Sequence, residues 1–331
     1  MARRLPFDGP VGVAVRRHCA PRLGLPRHAS AEEYPARRTE LGGAEATRRF
    51  LAASGTEVFC VDTGHAPEPI TMPPVTHEVV RLEGVAESLA AAGVEPDGYA
   101  GAFRAAAPEA VRRPGAVGVE PVAAYRTGFG LDPARPSDAE VTGAAARWLP
   151  AGGRLADPVL VRHLLWTAVD LGLPLQPHTG FGDGDLRLRR AGPALLTDWL
   201  RLTAGTVPVL LLHCRPCRRR AACLAAVFEQ VYPDLGLTLR HVGPARAGAV
   251  LAEALEIAPF RKPLYSSDAY GLAEFHHLGA LAFRRGLAEL LQERVDADEP
   301  ALPDALRLAV PAGRDHARRV YRLSGGAPDG D

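Results

Sequence analysis

Lysine is almost absent from this chain. Lys262 is the only one in 331 residues, and arginine supplies the rest of the 39 basic side chains. The glycine- and aspartate-rich stretch GFGDGD (180–185) therefore has no P-loop lysine. It also lacks the G-x-G-x-x-G spacing, so it is read as a mobile loop rather than a phosphate cradle. Excess charge is missing too: 38 acidic side chains balance the basic ones to +1, which excludes the electrostatic footprint of a nucleic-acid or anionic-membrane binder. No run approaches the roughly 18 apolar residues of a membrane span. No apolar core with a cleavage site follows the early arginines, so no signal peptide is read. The five cysteines are odd in number and irregularly spaced, which argues against a disulfide framework and for reduced thiols in a cytoplasm. Cys214 and Cys217 make a C-x-x-C, but no second pair follows at zinc-ribbon spacing. The basic run after it, RPCRRR (215–220), reads as the start of a solvated helix. A small neutral or mixed-charge molecule is the ligand class left, and a homo-oligomer is compatible with all of this.

With 47% hydrophobic residues the chain can bury a large core. Short β-rich runs alternate with helical patterns: TEVFCVDTG (56–64), HEVVRLEG (77–84), GAVGVEPVAAY (115–125), LPLQPHTG (173–180), VPVLLLHC (207–214), LGLTLRHVG (235–243) and KPLYSSDAYG (262–271). Strand, helix, strand in repetition means parallel pairing, because a crossover helix must return the chain to the same end of the sheet. The expected fold class is α/β, a (β/α)8 TIM-type barrel. Seven runs are one short of its eight. The deficit lies at the front, where VGVAV (11–15) is the one weak strand candidate and residues 1–55 read as an atypical helical segment. No Pro-, Gly- or Ser-rich linker divides the chain. One domain is expected over 1–323, with DHARRVYRL (315–323) as a last docked helix and a disordered tail over 324–331.

In such a barrel the chemistry sits where strands end. The ends carry Asp62, Glu83, Glu120, His178, His213, His241 and Asp268. His178 and His213 stand one βα unit apart, and Asp268 follows two units later. If the strands succeed one another around the ring, two imidazoles and a carboxylate converge on one rim. Neutral imidazoles and a carboxylate suit a divalent metal, zinc first, with manganese or iron as alternatives, and a catalytic metal keeps a position open for water. Asp268 would then take the proton of that water. Glu120 is either a further ligand or an ion-pair partner of an arginine such as Arg126. Tyr125, Arg126, His241 and Asp183 are the candidate substrate contacts, Arg126 because a guanidinium fork matches a carboxylate.

The segments QPHTGFGDGDLRL, PVLLLHCRP, LGLTLRHVG and PLYSSDAYGL resemble strands five to eight of the amidohydrolase superfamily, and the likeness runs from about residue 10 to 323. The branch it most resembles also occurs as the N-terminal half of glutamine-synthetase-like fusion proteins. The resemblance implies a metal-dependent hydrolase of an amide or related C–N bond. His178, His213 and Asp268 take the positions of its metal ligands, with His213 and Asp268 also in catalysis. It further implies a functional link to a glutamine-synthetase-like protein. Two departures bear on this. No His-x-His occurs anywhere in the chain, although the family's first strand ends in one. A strand ending in that pair is expected to precede Met1; the alternative is a chain that has lost its metal and serves as a non-catalytic binding module. Glu120 stands where relatives often carry a lysine, and with Lys262 at the start of its strand a carbamate-bridged pair of metals is excluded. A decarboxylase or isomerase of the same superfamily remains an open reading.

Overall fold

The computed structural model describes residues 7–64, 75–113 and 115–323. Its strands are short and parallel. They are β1 (Phe59–Asp62), β2 (Thr76–Val80), β3 (Ala116–Val119), β4 (Val209–Leu211) and β5 (Val231–Pro233). β1 pairs with β2 from Phe59↔Thr76 to Asp62↔Val79, and β2 with β3 through Val80↔Val119 after a register shift at Glu78/Val79. Single parallel bridges carry the order onward, Val119↔Leu175 and then Leu175↔Val209 and His178↔Leu212. β4 then pairs with β5, and Asp234 bridges to Leu264. The runs expected over 173–180 and 262–271 thus each contribute a position, although only at isolated bridges. Among the described residues no ladder joins Leu264 to β1.

The two end positions are instead linked through helices. The helix Gly43–Ser54 leads into β1, and the helix Glu274–Asp296 follows the Leu264 segment. Arg284 donates from Nη2 to the Gly55 carbonyl at 3.0 Å, His277 Nδ1 lies 3.1 Å from the Ala53 carbonyl, and the Phe59 ring meets His276 edge-on at 5.6 Å. Phe50, Tyr34, Leu23 and Val15 share a buried cluster with Ala273 and Leu278. Among the described residues the chain before β1 is helical. VGVAV does not form a strand: Pro10 opens a helix over Pro10–Ala14 that runs on as a π-helical turn over Val15–Cys19. Proline in the first turn of a helix loses no hydrogen bond that the helix would have made.

The expected strand over 235–243 is also a helix, Gly236–Val242, and β5 lies just before it. Residues 236–240 are all buried, so the alternation of Leu235, Leu237 and Leu239 reports burial on all sides rather than a two-residue period. Gly236 is required there, because a Cβ would stand 1.6 Å from the Ser266 carbonyl oxygen. Glu83 likewise falls in the first turn of the helix Leu82–Ala91, beyond the end of β2.

Core patterning follows the layers. Every residue of β4 is buried, as expected of a parallel strand covered on both faces. The helix Pro158–Asp170 is capped by Asp157, whose carboxylate accepts from the Val159 and Leu160 amides, and it buries Leu160, Val161, Leu164 and Leu165. Lys262 donates to the carbonyls of Ala225 and Phe228 at 2.7 and 2.8 Å, closing the C-terminal end of the helix Arg218–Val227. The docked C-terminal helix is Asp315–Val320, with Val320 and Tyr321 packed against Leu210 and Leu264. The tail over 324–331 lies outside the described residues.

Glu274, with no exposed surface, anchors the N-terminal helices: Arg38 Nε donates to its Oε1 at 2.7 Å and the Tyr34 hydroxyl to the same oxygen at 3.1 Å. Arg38→Ala leaves a buried carboxylate with one neutral donor and is expected to cost about 3 kcal/mol in urea unfolding. A loss below about 1 kcal/mol, the level of a surface pair, would contradict this reading.

Candidate active site

The His178 segment and β4 end side by side, and their imidazoles meet with ring centroids 4.4 Å apart at an interplanar angle of 67°. His213 and Cys214 both adopt positive φ, 68° and 55°. Left-handed backbone at a non-glycine residue costs on the order of 1–3 kcal/mol. Surrounding contacts hold it in place: Thr179 Oγ1 donates to the Leu212 carbonyl at 2.6 Å, the Cys214 amide to the same oxygen at 2.7 Å, and Thr238 Oγ1 to the His213 carbonyl at 3.2 Å. Burial lowers the pKa of His178 to about 2, helped by His213, and that of His213 to about 3, helped by the Arg240 charge. Both rings are therefore neutral at neutral pH. His178 Nε2 and His213 Nδ1 are buried without a hydrogen-bond partner.

Tyr125 covers His178 at 4.7 Å between centroids, and its hydroxyl accepts from the Asp183 amide at 3.1 Å. This fastens the 180–185 loop over the imidazole. Gly182 makes the approach feasible, since a Cβ there would stand 2.1 Å from the Tyr125 oxygen and 3.0 Å from His178 Nε2.

Asp268 reaches the same place from the last position of the sheet. Its Oδ1 is 3.9 Å from His213 Nε2, and its φ is 44°. Arg240 sets it: Nη1 donates to the Asp268 carbonyl and Nη2 stands 3.9 Å from Oδ2, while the guanidinium lies 4.3 Å over the Phe275 ring. On the other side of His213 lies Asp234, 2% exposed, with Oδ2 4.0 Å from Nδ1. Burial pushes the Asp234 carboxyl up to about 6 against the hydrogen bonds of Ser266 and the backbone.

Glu120 follows β3, with Oε2 accepting from Gln176 at 2.7 Å. Its arginine is not Arg126 but Arg81, whose Nη2 is 3.7 Å from Oε1 and also bonds Asp62. The reason is positional. Arg126 sits on the helical turn Ala123–Arg126, and its Nη2 lies 3.4 Å from Glu87 on the helix Leu82–Ala91. Burial, with the Asp62 charge, holds the Glu120 carboxyl well above the usual carboxylate range. Glu83, buried and accepting from the Val122 amide at 2.7 Å, is pushed up to about 7 by burial.

The structure thus brings His178, His213 and Asp268 together, with Tyr125 and the Asp183 amide against them. Glu120 belongs to the Asp62–Arg81–Gln176 group. His241 packs against Phe181 at 5.2 Å and lies 3.3 Å from Arg240, on a helix rather than at a strand end. Among the described residues no three His, Cys, Asp or Glu side chains already stand as a set able to hold a metal ion. The donor chemistry of the histidine pair and Asp268 fits a divalent ion, on the evidence of the unpartnered His178 Nε2 and of His213 Nε2 facing Asp268. Glu120 fits less well, with a guanidinium against it. Sequence reasoning missed Arg81, Arg240, Gln176 and Asp234. Arg81 directly follows β2 and was open to the same strand-end filter, had that filter admitted arginine. Asp234 follows β5, a strand that the sequence pattern hid.

The raised carboxyls make stability depend on pH. A carboxyl whose folded pKa lies above its unfolded value stabilises fully below that unfolded value, and the contribution is lost as pH rises through the folded pKa. Between about pH 7.5 and 8.5 the unfolded chain has already released the protons of its carboxyls and nearly all of those of its histidines, whereas Glu120 and the remainder of Glu83 release theirs only there. The melting temperature of metal-free protein is expected to fall across that window, and Glu83→Gln with Glu120→Gln to flatten the fall. A melting temperature that rises over the window in the parent protein contradicts the burial argument.

No helix among the described residues is long and apolar enough to cross a membrane. Residues 62–323 match the sequence profile of the amidohydrolase family. The chain is 29% identical over 236 residues to protein fluG of Emericella nidulans, a match that takes in 67% of this chain and 27% of that protein. It therefore spans about a quarter of the length of this curated relative, consistent with the branch found inside larger fusion proteins. A protein from Lactobacillus casei, provisionally described as a metal-dependent hydrolase, superposes with a TM-score of 0.80 at 26% identity, over 97% of this chain and 85% of that one. Uronate isomerase from Thermotoga maritima shares the fold at a TM-score of 0.68 and 13% identity, over 95% of this chain and 79% of its own. With the family profile matched over most of its length, this chain belongs to the amidohydrolase family.

Proposed function

We propose that this protein is a metal-dependent hydrolase of an amide or related C–N bond in a small, carboxylate-bearing metabolite. The observation that carries this reading is the pair of neutral imidazoles in contact, His178 with Nε2 buried and unpartnered and His213 with Nε2 facing Asp268. Likeness to the Lactobacillus casei protein supports it. We take the seven parallel positions as part of a closed (β/α)8-type ring whose first strand is not among them, and we place the protein in the cytoplasm.

His178, His213 and Asp268 would hold the divalent ion, zinc before manganese or iron, and Glu120 would join them as a fourth ligand only by giving up Arg81 and Gln176. A bound ion of this kind supplies Lewis-acid polarisation of a carbonyl and lowers the pKa of water. Asp268, fixed by Arg240, takes the proton from the attacking water and returns it to the leaving nitrogen. The alternative role for His213, polarising the carbonyl oxygen instead of holding the ion, would need its proton on Nε2. Tyr125 and the Asp183 loop exclude bulk water and line the substrate. Arg126, with Nε and Nη1 buried and unpartnered, is the group for a substrate carboxylate, and His241 lies along the rim. A γ-glutamyl compound, acted on in partnership with a glutamine-synthetase-like protein, is the substrate this reading favours by analogy.

The second reading, a non-catalytic binding module, is favoured by the Arg81 guanidinium standing between Asp62 and Glu120. Elemental analysis after incubation with zinc, manganese or iron separates the two. The hydrolase reading expects about one equivalent in the parent protein and none in His178→Ala or His213→Ala. It expects C–N hydrolysis to fall by at least about 100-fold in Asp268→Asn. No uptake by a folded parent protein would leave the binding module, and products of decarboxylation or isomerisation would replace the reaction while keeping the site.

A further inference from the structure

His213 is the one imidazole of the site with a carboxylate on each side. Asp268 Oδ1 lies 3.9 Å from its Nε2 in the mouth, and Asp234 Oδ2 lies 4.0 Å from its Nδ1 in the interior. The two acids differ in environment. Asp268 is 41% exposed through its side chain, whereas the Asp234 side chain is 2% exposed. Asp234 is also fixed from several directions: Ser266 Oγ donates to its Oδ2 at 2.9 Å, and the Gly236 and His213 amides reach it at 3.3 and 3.4 Å. Gly236 and Ser266 are in close contact there, so the carboxylate is clamped between β4 and the Leu264 segment.

We propose that Asp234 is a positioning residue that holds the proton of His213 on Nδ1, so that Nε2 presents its lone pair to the mouth. A neutral imidazole carries one N–H, and the tautomer is set by the acceptor that the N–H finds. Nδ1 is buried with no hydrogen-bond partner closer than this carboxylate. A proton on Nδ1 faces the buried acid and completes an N–H···O contact with a small closure of the 4.0 Å gap. A proton on Nε2 would instead leave the lone pair of Nδ1 facing a carboxylate, two acceptors set against each other in a dry interior. Ligand histidines at metal sites recurrently give their other N–H to a carboxylate, which fixes ring orientation and raises basicity. The tautomer stands on geometry alone; the use of Nε2 as a ligand rests on the hydrolase reading above.

The test is long-range ¹H–¹⁵N NMR of the full chain labelled at histidine, with His213→Gln to assign the signal. His213 of the parent protein is expected as the Nδ1–H tautomer at neutral pH without metal, and Asp234→Leu, which removes the acceptor, is expected to move it to Nε2–H or a mixture. Finding Nε2–H in the parent, or Nδ1–H unchanged in Asp234→Leu, overturns the proposal. The parent spectrum needs no substitution, so a variant that fails to fold does not remove the test. In parallel, chelator competition with Zn²⁺ is expected to show affinity about 10- to 100-fold weaker in Asp234→Asn. If the tautomer follows Asp234 but the parent takes up no zinc, the hydrolase reading fails while this assignment stands.

Discussion

Burial of uncharged imidazole is the constraint on which the rest of the site depends. A histidinium stripped of water in an apolar interior is so costly that the ring gives up its proton instead. At His178 and His213 burial is the largest effect, most neighbouring charges add to it, and the pKa values fall to about 2 and about 3. Neutral rings can approach within 4.4 Å without mutual repulsion. They also keep a nitrogen lone pair each, the property that a metal or a general base needs. The left-handed backbone at His213, Cys214 and Asp268 belongs to the same design, because it turns these side chains inward where an extended strand would carry them on.

Around this pair the charges alternate. Asp62, Arg81 and Glu120 form one run, and Arg240 and Asp268 form another. Arg81 offsets two acids that would otherwise repel one another in a poorly hydrated space, and Arg240 offsets one. Arg81 meets both of its acids through one nitrogen, Nη2, which bonds Asp62 and stands 3.7 Å from Glu120 Oε1. The single lysine is spent on capping a helix at the other end of the strands.

Much of the architecture was legible in the sequence, and the failures have causes. The alternation of short apolar runs with helices gave the parallel order, and the strand-end filter found His178, His213, Asp268, Glu120 and Asp62. Two segments were misread. LGLTLRHVG is buried on all sides, so period two was an accident of composition, and the three-residue β5 with its terminal proline was too short to stand out. That error hid Asp234 and put His241 at a strand end it does not occupy. The Glu120–Arg126 pairing failed for another reason: proximity in sequence says nothing about which way a guanidinium turns on a helical turn.

The central claim is that His178 and His213 serve one ion together. Titrating metal-free, histidine-labelled protein with Co²⁺ and following both imidazoles by NMR tests it most directly. Paramagnetic shifts that reach both rings at the same stoichiometry are the expected result. Shifts confined to one of them, or to histidines elsewhere in the chain, would contradict it.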